Sequence, residues 1–333
     1  MPTPPRFTSG PLLGHDWPLP LDRPFTTQQA LDAGVTRRVL ERLLRREFVR
    51  RMVRGVFVAA QQPDSLALRA AALALVAPPG AVVVDWTAAW LHVGLLRPGD
   101  HLLVPPVSLF LHAGKGRLRN ALVSSGERTF LPEDLCRVGD VMATTPLRTA
   151  WDLGRLSSRD LAIGALDKLL RDGGFGRGRF LGGVERFRRQ RGVRQLRTLA
   201  PIADGRSESP GESVLRLRWL DVGGHLPPPE PQVPVLDDWG RVRCRLDLGV
   251  EKLRFAAEYD GEDFHTEQDR KHDEERRAWL REERGWTIVV ARKENVFGPK
   301  ADIEQRLCAG VDDARRRLGE FQPRGARTPA RRV

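Results

Sequence analysis

Apolar and polar positions change their period several times along this chain, and each change marks an element. The first ordered stretch, FTTQQALDAGVTRRVLERLLRREFVRRMVRGVFVAA, runs from Phe25 to Ala60. Thr26 or Thr27 can cap a short helix that continues through Asp32 and is closed by Gly34. Thr36 caps a second helix, in which Val39, Leu40, Leu43 and Leu44 form an apolar stripe at helical spacing. Its opposite face carries Arg37, Arg38, Glu41, Arg45 and Arg46. Phe48-Val49 and Val56-Phe57-Val58 are short β-prone runs, separated by Arg50, Arg51, Arg54 and Gly55. Helix, tight turn, basic helix and basic hairpin is the order of a winged helix-turn-helix. Its second helix enters the major groove and its wing arginines reach phosphate. A helical pair with a solvated charged face gives the same pattern; the wing arginines favour DNA.

Further on, an alanine-rich helix is expected over Ser65 to Ala77, followed by the apolar segment Ala81 to Leu96 and short strands around His101 to Pro105. TTPLRTAWDLGRL begins at Thr144. The ionisable residues of this region, Asp85, His92, His112 and Lys115, form no constellation that suggests chemistry. From Arg171 to Arg206 glycine and arginine dominate, which reads as a basic linker passing into a short helix. No P-loop or dinucleotide fingerprint is present there, because the flanking strand and helix are missing.

The C-terminal third holds the chemistry. SPGESVLRLRWLDVG, from Ser209, gives a capped helix with Glu212 in its first turn. Paired strands follow, with Val242, Cys244 and Leu246 on one face and Arg243, Arg245 and Asp247 on the other. A regular hairpin centred between Lys252 and Leu253 sets Asp247 directly opposite Glu258, with Cβ atoms ~5 Å apart, and Asp260 opposite Arg245. Two opposed carboxylates repel unless a cation lies between them, and a hard divalent ion takes oxygen ligands of this kind. Phe255, Ala256, Ala257 and Tyr259 make the second strand apolar, where unpaired acids are costly. His265 precedes a highly charged helix from Glu267 to Arg284, and Trp286 to Ala291 reads as a buried strand.

Two resemblances follow from these residues. Phe25 to Ala60, with its TxxQALxxGV and RxxRGVF elements, resembles the N-terminal winged-helix domain of the AbiEi-type antitoxin family. TPLRTAWDL resembles that family's middle α/β domain. RLDLGV, AAEYDGEDFH and RKHDEERRAWLREERGWTIVVARKENVF resemble the Vsr-like branch of the PD-(D/E)XK nuclease fold over about Ser209 to Val296. The resemblance implies that Asp247 and Glu258 are metal ligands for Mg2+ or Mn2+, with Glu212, Asp260 and His265 completing the site. Asp260 stands where many such nucleases carry a lysine, which leaves open the group that activates water. His265 is the first choice, having an unperturbed pKa suited to neutral pH. Lys271 is the second, as a stabiliser of phosphoryl charge. Glu212 also has a structural reading, through its helix N-terminus and Arg216 at i+4.

The expected architecture is therefore α/β and multidomain. Residues 1–24 form an extended arm, 25–60 a winged helix-turn-helix, and 61–170 an α/β middle domain. Residues 171–208 are a basic linker, 209–318 a restriction-endonuclease-like domain with a mixed central sheet, and 319–333 a basic tail. A length of 333 residues suits several modest domains. A net charge of +12 points to a polyanionic partner, duplex DNA first, although arginine-rich composition from a GC-rich genome gives the same balance. Cys136, Cys244 and Cys308 are scattered and odd in number, which supports neither a disulfide framework nor a zinc site. The N-terminus has no secretory pattern and the longest apolar runs are too short for a bilayer, so a soluble cytoplasmic protein is expected. Two functions remain: a metal-dependent DNA endonuclease, or an antitoxin-like transcriptional regulator with a toxin-like partner, whose nuclease-fold domain binds without cutting. RNA as substrate also stays open.

Overall fold

The structure is a computed structural model that describes residues 7–9, 12–99, 106–119, 123–261 and 267–319. It is a mixed α/β chain that divides into two compact units, Met1–Ser157 with Asp172–Pro201, and Ser158–Arg171 with Ile202–Val333. Among the described residues no helix is long and apolar enough to cross a membrane.

The first unit opens with a short antiparallel pair, β1 (Thr8–Ser9) and β2 (Leu12–Leu13). Next come β3 (Phe25–Thr26), α1 (Thr27–Asp32), α2 (Arg37–Arg45), β4 (Val49–Val53) and β5 (Val56–Ala59). The three strands form an antiparallel sheet in the order β3-β5-β4. Thr26 caps α1 in a reciprocal box with Gln29, and Thr36 caps α2. Leu40 and Leu43 of α2 are buried with Phe25, Val49 and Phe57, while Val39 and Leu44 pack at the margin. The other strand faces belong to a second core. Met52, Val53, Val56 and Val58 pack with Leu73, Leu91 and Leu109, so the packing continues across the boundary expected at residue 60.

That second core holds α3 (Leu66–Ala74), β6 (Val82–Val83), α4 (Asp85–Val93), β7 (Val107–His112), β8 (Val123–Arg128), β9 (Leu135–Val138), β10 (Val141–Thr144) and α5 (Pro146–Leu156). Its five-stranded mixed sheet has the order β8-β7-β6-β10-β9, with β7 parallel to β8 and β6 parallel to β10. The strands expected around His101 to Pro105 lie outside the described residues. On α5, Arg148, Asp152 and Arg155 recur on one face and are all buried. Asp152 accepts from all of Arg128, Arg148 and Arg155, and Arg148 also reaches Asp134. Asp85 pairs with Arg128, and the His92 ring meets the Thr144 carbonyl at 2.7 Å. These ions tie α4 and α5 to the sheet.

The region read as a linker folds into this unit. Across α7 (Arg177–Gly182), the turn after it and α8 (Val193–Leu199), Phe180, Phe187, Leu196 and Leu199 are all buried. The Trp151 indole donates to the Phe180 carbonyl at 2.9 Å, and the Gln195 amide donates to the Gly154 and Ser157 carbonyls at the end of α5. Aromatic residues seat this segment, Gly183 and Gly192 let it close in on Trp151 and the Arg155 carbonyl, and Arg186 reaches buried Asp134.

The second unit takes α6 (Arg159–Asp172) from the stretch assigned to the middle domain. It then adds α9 (Pro210–Asp221), β11 (Glu230–Leu236), β12 (Val242–Val250), β13 (Phe255–Tyr259), α10 (Glu267–Glu282), β14 (Thr287–Ala291), α11 (Lys293–Val296) and α12 (Ile303–Leu318). Its sheet has the order β11-β12-β13-β14, antiparallel except for β13 with β14. Asp167 of α6 and Arg216 of α9 are both buried and meet at 2.5 Å. Phe255 packs on Trp219 with ring centroids 5.1 Å apart, and a Cβ on Gly310 of α12 would lie 2.6 Å from the Phe255 ring. These contacts bring α9 and α12 against the strand that carries Glu258, and α6 against α9.

Candidate active site

Three elements of the second unit carry Glu212, Asp247 and Glu258, and the charges of the two glutamates act on the aspartate. Ser209 caps α9 by accepting from the Glu212 amide at 3.1 Å. That cap fixes the first turn and buries Glu212. Its Oε2 accepts from the Glu208 amide at 2.8 Å and from the Gln232 side chain at 3.1 Å. Arg216, the i+4 partner expected for Glu212, turns instead to Asp167 and the Ile202 carbonyl. Nothing in the sequence pattern distinguishes Gln232. It lies within β11 at φ 57°, and the β11–β12 register passes from Pro231↔Leu248 to Val233↔Leu246 around it. A non-glycine residue in the left-handed region is strained; here the distortion accompanies a side chain that reaches Glu212.

The β12–β13 hairpin has the register centred between Lys252 and Leu253, with the pairs Leu248↔Ala257, Gly249↔Ala256 and Val250↔Phe255. Beyond Leu248 the backbone pairing stops. The Tyr259 amide donates at 2.7 Å to Asp247 Oδ2, so a side-chain oxygen takes the amide that continued ladder pairing would engage. The expectation that Asp260 opposes Arg245 therefore fails. The Asp260 amide donates instead to the Ala291 carbonyl, and its carboxylate faces Arg277 at 3.8 Å and Arg292 at 3.7 Å.

Glu258 is 4% exposed, and its two oxygens accept a forked pair of hydrogen bonds from Arg276 at 2.7 and 2.9 Å, with Arg277 at 3.3 Å. Such bidentate charge-assisted bonds are the strong kind. Neither arginine stands out by sequence pattern, although both lie in the charged helix that the resemblance covers. Lys271 is exposed earlier on α10. His265 lies outside the described residues.

Asp247 bears the electrostatic strain of the cluster. Burial first, then the Glu212 charge, pushes its carboxyl up to about 7; Glu258 adds to the rise, while the Tyr259 amide and Arg276 oppose it. A half-buried carboxyl raised by neighbouring carboxylates is the environment a hard cation relieves, and oxygen donors suit Mg2+ or Mn2+. Among the described residues, no group of three or more His, Cys, Asp or Glu is assembled closely enough to hold a metal ion. Donor chemistry fits a divalent ion at Asp247 and Glu258, while the Glu258 oxygens are engaged by guanidinium groups.

In the first unit Arg37, Arg38, Arg45, Arg51 and Arg54 are exposed. Arg50 is half-buried, and its guanidinium donates to the Gln62 carbonyl at 3.1 Å.

Two proteins of Mycobacterium tuberculosis strains, uncharacterized protein MT2308 and uncharacterized protein Rv2248, are each 34% identical to this chain over 271 residues. The match covers 78% of this chain and 92% of theirs. No protein-family model matches the chain.

Proposed function

We propose that this chain, which belongs to the family of those two mycobacterial proteins, carries in its second unit a divalent-metal-dependent DNA endonuclease. The observation that carries the reading is the raised Asp247 carboxyl, which feels the charges of Glu212 and Glu258 where β12 and β13 part, with Arg276 and Arg277 on Glu258. Asp247 and Glu258 would hold Mg2+ or Mn2+, which when bound supplies Lewis acidity toward a phosphoryl oxygen and a more acidic water. The Asp247 carboxyl, titrating near 7, is poised to exchange a proton close to neutral pH. Arg276 and Arg277 would offer guanidinium groups to the charge that develops on a phosphoryl group. Gln232 holds Glu212 in place by its 3.1 Å bond. His265 and Lys271 are proposed to assist proton transfer and charge neutralisation. The order α1, α2, β4, β5, with exposed arginines on α2 and the β4–β5 hairpin, supports a winged-helix reading in which this region anchors duplex DNA.

A regulator that binds DNA and a toxin-like partner without cutting is the second reading. The occupation of Glu258 by two arginines favours it, because a purely structural ion cluster needs no vacant ligand. Incubation with supercoiled plasmid separates the two. Nicked or linear product with Mg2+ or Mn2+, absent with EDTA and absent for Asp247→Asn, is expected of the endonuclease. Intact plasmid under all of these conditions leaves the regulator.

A further inference from the structure

The hairpin joining β11 to β12 ends in a rigid tip. Asp237 Oδ1 accepts from the amides of Trp239 and Arg241, both at 2.9 Å, and the Asp237 amide donates to the Arg241 carbonyl at 2.8 Å. Gly240 completes the turn at φ 76°, where a side chain would be strained. This framework fixes Trp239 in solvent. It is 78% exposed, and Leu236 and Val242 beside it are 46% and 53% exposed. Five other tryptophans, Trp17, Trp151, Trp219, Trp279 and Trp286, are buried, and Trp86 and Trp90 are half-buried. Leaving the largest apolar side chain in water at a well-braced turn forfeits stability that the fold collects at those other positions.

The surroundings of Trp239 are cationic. The Arg241 guanidinium lies 5.1 Å from its ring, and Arg243 and Arg245 follow, exposed, on β12. Arg243 and Arg284 approach the Trp279 ring at 4.2 and 4.8 Å. The two acids of the tip are already engaged: Asp237 by Arg241 at 3.0 Å and Asp238 by Arg284 at 2.5 Å. Four arginines against two aspartates leave a net positive surface around an exposed aromatic plane. A polyanion with stackable rings matches both features, since every base has a π-face and every phosphate a charge.

We propose that Trp239 is a base-stacking contact for single-stranded DNA or an unpaired base, with Arg241, Arg243 and Arg245 holding the flanking phosphates. Paired bases are already stacked, so reaching one inside a duplex costs unstacking energy that an unpaired base does not demand. The contact rests on the reading of the second unit as acting on DNA, and it deepens that reading by naming a preference for strands with accessible bases.

The test measures anisotropy of a labelled oligothymidine and of a duplex of equal length, at fixed salt and with EDTA so that no cutting occurs. Trp239→Ala is expected to weaken single-strand binding about tenfold or more. Trp239→Phe should retain most of it, and the duplex should change less. Equal affinities of wild type and Trp239→Ala for both DNAs overturn the proposal. So does a change in self-association or protein capture without any change in DNA binding, which would make Trp239 a protein contact. Plasmid cleavage is assayed in parallel. Loss of single-strand binding in Trp239→Ala together with an inert plasmid assay upholds the stacking contact and removes the endonuclease; cleavage with unchanged binding does the reverse.

Discussion

Asp247 holds a position that disfavours its own charge. Its carboxyl titrates near 3.8 when unperturbed and near 7 in the folded chain, so the folded state retains an extra proton between those values. The stability associated with that proton is full below the unfolded value and is lost as pH rises towards 7. Metal-free wild type should therefore lose melting temperature between about pH 4 and about pH 7, relative to Asp247→Asn. The asparagine can still accept from the Tyr259 amide but cannot ionise. Parallel melting curves for the two proteins across that range would remove Asp247 from the linkage. Adding Mg2+ at the alkaline end should stabilise wild type and leave Asp247→Asn unmoved, because a ligand that binds only the ionised folded form shifts the equilibrium by mass action.

Packing of α9 against β13 sets how closely Glu212 approaches Asp247. Gly211 makes that approach possible: a Cβ there would stand 2.1 Å from the Tyr259 ring. Gly211→Ala should cost ~1–3 kcal/mol in urea denaturation, as overpacked sites do, and should lower any metal-dependent cleavage with it. An unchanged midpoint would show that the ring can turn aside. On α5, Asp152→Ala would leave Arg128, Arg148 and Arg155 short of their shared anion. Breaking a buried ion cluster costs ~3–5 kcal/mol, so this variant should unfold at a markedly lower denaturant concentration. How much of this the sequence disclosed follows the range of the interactions. Thr26, Thr36 and Ser209 could be read as caps because a cap bonds within three residues. The β12–β13 register could be read because a tight turn sets it. The φ of Gln232, the capture of Glu258 by Arg276 and the burial of Phe180 and Phe187 could not, since each depends on a partner far along the chain. Asp152 lay within a readable pattern, Arg148-xxx-Asp152-xx-Arg155, but helical spacing alone does not say that the face is buried.

A net charge of +12 makes salt the first variable in any binding experiment. Replacing Arg37, Arg38 and Arg51 by alanine should flatten the dependence of duplex affinity on salt, by about one unit of slope for each phosphate that is no longer neutralised. An unaltered slope would place the DNA elsewhere. Deleting residues 1–60 is a poorer probe, because it strips Met52, Val56 and Val58 from a core shared with Leu73 and Leu109. The division of the chain also dictates fragment design. A fragment beginning at Ser209 leaves Arg216 buried without Asp167, a destabilisation of the ~3–5 kcal/mol order for a broken buried pair. Mixing it with a peptide of residues 158–172 should raise its melting temperature; no rise would show that α6 is dispensable. The same connectivity imposes a schedule on synthesis. The apolar positions Ile163, Leu166 and Leu169 of α6 leave the ribosome well before β13 and α12, which complete the second unit. At ~5–20 residues per second that interval is roughly 7–30 s. Throughout it the helix is a sticky orphan on the nascent chain, so a pause in translation after Asp172 would lengthen its exposure to chaperones and to neighbouring polypeptides.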